Sequence, residues 1–155
     1  IKRSAENTEL TETKLLQQEY WQSLKEYVSS KKLAFKMQKP LPQHWTNIAI
    51  GRRYFHLNVF ANTRDQRIGV ILILTGPDAL SNFKTLQIKY ESDSQVNLDK
   101  NIEWVEKDGG KEHHITLRFQ DCDPFNKKDW DRQHQLLSNA IQKFVLYFRD
   151  KIKEI

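Results

Sequence analysis

Residues 54–62 read Tyr-Phe-His-Leu-Asn-Val-Phe-Ala-Asn, and their alternation decides the fold. Successive side chains on a strand point to opposite faces. Phe55, Leu57, Val59 and Ala61 therefore share one face, and Tyr54, His56, Asn58, Phe60 and Asn62 share the other. Working forward, Arg64-Asp65-Gln66 makes a turn and Ile68–Leu74 is almost wholly apolar. That run predicts a central strand covered on both faces. Working backward, Asn47-Ile48-Ala49-Ile50 is a short strand that ends at Gly51. Connections this short join strands as hairpins, so the pairing is antiparallel.

Beyond these strands the apolar period changes. From about Thr13 to Ser30, Leu16, Tyr20, Leu24, Tyr27 and Val28 fall on one helical face, and Trp21 widens it. Thr11 or Thr13 suits the helix start, and Lys31–Lys32 suits its end. Residues 1–10 have no period and read as a tail or linker, with one globular unit over 11–155. Residues 36–43, with Pro40 and Pro42, read as a loop. Thr75-Gly76-Pro77-Asp78 signals a helix start, and Leu80, Phe83, Leu86 or Gln87, and Tyr90 continue it over about 78–91. Strands are expected at 100–106 and 113–119, joined by Asp108-Gly109-Gly110, with Ile115, Leu117 and Phe119 facing the core. After a polar loop, Asp129 is expected to cap a last helix over 130–153, with a stripe of Leu137, Ala140, Ile141, Phe144 and Phe148. The order α-β-β-β-α-β-β-α predicts an α/β fold of the α+β type, with a mostly antiparallel sheet of about five strands flanked by helices.

Composition bounds the function. The 155 residues include one cysteine, Cys122, which excludes a disulfide scaffold and points to a reducing, cytoplasmic setting. No apolar run approaches the ~20 residues of a membrane span, so no membrane partner is expected. The chain begins at Ile1 rather than Met, which suggests a fragment of a longer protein. A net charge of +5 accords with acidic partners such as nucleic acid, or simply with solubility, since the basic residues are scattered.

The chemistry-bearing patterns are mostly missing. The order α-β-β-β-α-β contains the core of the PD-(D/E)xK nuclease fold, whose strand carboxylates hold Mg²⁺ beside a lysine. Here strand 54–62 has no acid and strand 68–74 has no charge. A displaced site would have to use Asp65, Glu91 or acids of the loop Asp121–Asp129. His113 and His114 point to opposite faces of a strand, so that pair cannot grip one ion, and no zinc spacing occurs. Cys122 lies between Asp121 and Asp123, which disfavours a thiolate nucleophile. No phosphate-binding glycine loop and no GxSxG occurs, so no cofactor and no catalytic residue is assigned. The strongest pattern is the mixed face of strand 54–62. Tyr54, His56, Asn58 and Asn62 beside Arg52 and Arg53 suit nucleic-acid binding by stacking and phosphate contact. The competing reading is that helices cover this face, with Tyr54 and Phe60 as core. Lys127 and Lys128, near Arg132, form a second small basic patch or a solvated helix start.

Tyr20-Trp21, Trp45, Ile50-Gly51, His56-Leu57, Phe83 with Leu86, Ile102 with Trp104, Asp129-Trp130, and Phe144 with Phe148 occur in an order and spacing that resembles an uncharacterised prokaryotic family, domain-of-unknown-function family 4268. The resemblance runs from about Gln18 to Ile155. It implies an accessory domain of the kind found C-terminal to nuclease-like domains, and carries over no catalytic residue. Gly51 looks like the family's turn glycine, at a backbone position that needs φ > 0. The expectation is a non-catalytic accessory or interaction domain associated with nucleic acid or a nuclease-like partner. The alternatives are a metal-dependent nuclease with a displaced site, and a structural or homodimerising domain.

Overall fold

The computed structural model describes residues 2–155, with side chains from residue 11 onward. The elements are α1 (Lys2–Ser29), β1 (Trp45–Ala49), β2 (Phe55–Asn62), β3 (Arg67–Leu74), α2 (Ala79–Asn97), β4 (Glu103–Val105), β5 (His113–Phe119) and α3 (Trp130–Lys153). The five strands form one sheet in the order β1-β2-β3-β5-β4. Every neighbouring pair is antiparallel. The fold is α+β.

Burial along β2 alternates without exception, as its sequence predicts. Leu57, Val59, Val70, Leu72, Ile115 and Leu117 make the inner face, each almost fully buried. α3 lays Leu137, Ile141, Phe144 and Phe148 over the central strands, and α1 packs on α3 through Tyr20, Trp21 and Leu24. α2 brings the Phe83 ring within 5.8 Å of Trp104 and 5.4 Å of His113. All three helices therefore lie on one side of the sheet.

That arrangement corrects the expectation for β3. It is the middle strand, but helices cover only one of its faces. Ile71, half-buried, and Ile73, buried, lie on the other, shielded by neighbouring side chains rather than by a second layer. Three boundaries also move. The backbone of residues 2–10, read as a tail, continues α1. Ala5, Glu6, Glu9, Leu10, Lys2 and Arg3 favour helix by propensity without marking a face; Ile1 lies outside the described residues. α2 runs to Asn97, well beyond Glu91, because Ser94 is buried and accepts a hydrogen bond from Trp104 Nε1 (2.9 Å). β4 keeps only Glu103–Val105, since Asp99 turns the chain by accepting the Asn101 N–H (2.8 Å). Leu80, expected in the α2 stripe, is exposed, and Ala79 is buried instead. Gly51 has φ +89°, the left-handed conformation expected of it.

Candidate nucleic-acid interface

The antiparallel register builds the second sheet face in rows. Trp45 stands opposite Phe60, Phe60 opposite Gly69, and Gly69 opposite Arg118. The next row is Asn47, Asn58, Ile71, Thr116 and Glu103. The third is Ala49, His56, Ile73, His114 and Val105. Among the described residues no helix lies over these rows. The reading in which helices cover Phe60 is overturned: its side chain is half-buried on an uncovered face.

Phe60 is held at the centre by a close approach. A Cβ at Gly69 would sit 2.6 Å from the ring of Phe60 and 2.4 Å from the carbonyl oxygen of Leu117. The tip of the ring thus reaches over the glycine, the only residue type that leaves it room. Two shallow troughs flank the ridge that Phe60 and Ile71 make. One, of about 290 Å³, is bordered by Asn62, Arg67 and Arg118; the other, of about 410 Å³, by Trp45, Asn47, His56 and His114. His44 and Asn58 border both.

The polar groups of this face are lightly engaged. Asn58 donates to Asn47 Oδ1 (3.1 Å). Arg67 pairs with Asp65 at 3.1 Å, and Arg118 approaches Glu103 only to 3.8 Å, with its Nε meeting no partner. Exposed ion pairs of this kind are worth about 0–1 kcal/mol, so a phosphate can displace the carboxylates at little cost. His114 lies 2.8 Å from Glu112. Burial pulls the His56 imidazole below its ordinary pKa; Glu112 opposes that shift and His114 adds to it.

Of the residues singled out in the sequence, His56, Asn58 and Asn62 are on this face. The others are elsewhere. Arg52 donates through Nη1 to the carbonyls of Ile152 and Ile155, the latter at 2.7 Å, and lies over Phe55. It fastens the end of α3 and is not free for phosphate. Arg53 stacks on Tyr54 with 4.7 Å to the ring centroid, at the exposed entry to β2. Tyr54 has φ 72°, an unusual conformation for a bulky residue, and its carbonyl accepts the Thr75 N–H (2.9 Å). Lys127 pairs with Glu19 (2.7 Å) and lies over Trp130, whereas Lys128 is exposed. Lys127 and Arg52 thus belong to opposite ends of α3, a 24-residue helix, roughly 36 Å long at the standard rise. They do not form one patch.

The loop before α3 is a structural knot. Asp129 was expected to cap α3 but makes no capping hydrogen bond. Its carboxylate instead takes two hydrogen bonds from Arg132 (both 2.7 Å) and one from Gln133 (3.1 Å), and Arg132 holds it down to about 2. Gln133 Oε1 accepts the Tyr20 hydroxyl (2.9 Å), tying α1 to the knot. Cys122 is fully buried and burial pushes its thiol pKa up, with Arg132 opposing. The acids considered for a displaced nuclease site are dispersed: Asp65 is in the β2–β3 turn with Arg67, Glu91 is on α2, and Asp129 is held by Arg132. Among the described residues no three His, Cys, Asp or Glu side chains form a group able to hold a metal ion.

A sequence profile described as "Domain of unknown function (DUF4268)" matches residues 16–152, nearly the whole chain. The chain belongs to this family. No curated protein and no solved structure matches it. Several residues that carried the DUF4268 resemblance prove to be core: Tyr20, Trp21, Phe83, Leu86, Phe144 and Phe148 are almost fully buried. Among those on the open face are Trp45 and His56. No described helix is long and apolar enough to cross a membrane. Sequence reasoning missed Gly69, Arg67, Arg118, His44 and His114 as parts of the face. On β5 the alternation of His114, Thr116 and Arg118 with Ile115 and Leu117 carries that signal, but only the strand order shows that they share a surface with Phe60.

Proposed function

We propose that this chain is a non-catalytic accessory module that binds nucleic acid through the open face of its sheet, in the service of a nuclease-like partner. One observation carries the reading. An uncovered sheet face presents a partly buried phenyl ring flanked by amides, imidazoles and two guanidiniums in exposed ion pairs. These groups supply stacking, hydrogen bonding to bases and contact with phosphates. The +5 net charge accords with an anionic ligand. A cytoplasmic setting accords with the single buried thiol. The interface differs from the one read in the sequence: Arg52 is spent on α3, and Lys127 and Lys128 belong to a separate place.

Fluorescence anisotropy with a labelled mixed-sequence oligonucleotide tests this. Binding is expected at ~50 mM salt and should weaken steeply with added salt, because phosphate contacts release counterions. Arg67→Gln with Arg118→Gln should flatten the salt slope. Absence of binding at ~50 mM salt would sink the reading. A second occupant, another copy of the chain, is detected by sedimentation of the free protein; a dimer blocked by a charged side chain at Phe60 would favour it.

A further inference from the structure

Resting on that reading, we infer that the open face takes a single strand with splayed bases, and discriminates against a duplex. Duplex readers send a helix or a two-stranded ribbon into a groove. The candidate face sends out neither; its features are two shallow troughs about a ridge. The ridge is apolar, made by Phe60 and Ile71, and the Phe60 ring occupies the space that a side chain at Gly69 would fill. A partly exposed ring on an open sheet face offers a stacking partner to a ligand. Only an unstacked base has a free π-face to set against it, since bases within a duplex are already stacked on each other.

The guanidiniums are placed to match. Arg118 lies in the same row as Phe60, one strand beyond Gly69, and Arg67 stands opposite Asn62 next to that row. A base on Phe60 would leave its phosphate beside Arg118 and Arg67 in the smaller trough. The larger trough, with Asn47 and His56 on its border, would receive the next base. A duplex laid on the same face would bring its phosphates against the apolar ridge and leave Phe60 without a stacking partner.

The test compares one labelled 12-nucleotide DNA strand with the duplex of the same sequence, by anisotropy at ~50 mM salt, on the whole chain. Variants Phe60→Leu, Phe60→Tyr and Arg118→Gln are measured beside the wild type, with circular dichroism as the check on folding. The single strand is expected to bind at least tenfold more tightly. Phe60→Leu should lower single-strand affinity by about tenfold, in line with the loss of one base–aromatic stack, and Phe60→Tyr should restore it. A duplex that binds as tightly as the single strand, or a Phe60→Leu variant with unchanged affinity, overturns the inference while leaving nucleic-acid binding itself intact. Failure of both ligands to bind overturns the underlying reading as well.

Discussion

His134 gives the structure a pH-dependent stability whose size follows from its surroundings. The imidazole is 1% exposed and packed against Tyr20, Trp130 and Tyr27, with ring centroids at 4.8, 5.8 and 6.4 Å. Nδ1 lies 3.5 Å from Ser23 Oγ, and Nε2 meets no partner. Burial lowers its pKa to about 4, with Asp131 opposing. The folded chain thus keeps His134 neutral at pH values where the unfolded chain binds a proton. The folded pKa is depressed, so its contribution is fully present above the unfolded pKa near 6.5 and is lost as pH falls toward 4. A difference of that size corresponds to about 3 kcal/mol over the window. The perturbation is His134→Gln, which removes the titration. Urea unfolding, followed by tryptophan fluorescence at pH 7.5, 6.5, 5.5 and 4.5, gives stability against pH for both proteins. The substitution carries its own cost at every pH, but only the wild type should lose the additional ~3 kcal/mol. His56 titrates in both and cancels in the difference; Asp129, held near 2, titrates below the window. Parallel curves would refute the reasoning.

Three further outcomes follow from the same structure. Gly69→Ala sets a Cβ against a backbone carbonyl and the Phe60 ring; it should destabilise by about 1–3 kcal/mol in urea unfolding and weaken nucleic-acid binding as well. Arg52→Ala removes the hydrogen bonds to the Ile152 and Ile155 carbonyls; it should cost about 1–3 kcal/mol of stability while leaving oligonucleotide affinity, by anisotropy, unchanged. Burial holds the His56 imidazole neutral to lower pH than an exposed histidine, so its positive charge on the face, and with it a rise in affinity, should appear only at the acid end of a titration downward from pH 7.5. His56→Gln should reduce that rise.

The fold was largely legible because alternation and helical spacing are local properties. Residues 54–62 alternate cleanly, and the stripes of α1 and α3 bury as their spacing predicts. Where a residue's role is decided at a distance, sequence reasoning failed. Ser94 extends α2 because Trp104 reaches it, and Ile71 is apolar without a covering layer. The site was legible only on β2. Asn58 and His56 carry their facing in the strand period, whereas Arg118 and Gly69 acquire their place through the β3–β5 register. Arg52 misled for a related reason: adjacent in sequence to Tyr54, its guanidinium is turned to the end of α3.

Chemical-shift mapping of backbone amides on addition of a single-stranded oligonucleotide locates the working surface most directly. The shifts should concentrate on Asn58, Phe60, Ile71, His114 and Arg118, across β2, β3 and β5. Shifts confined to Lys127 and Lys128 at the start of α3, or to Arg53 and Tyr54 at the entry to β2, would contradict it.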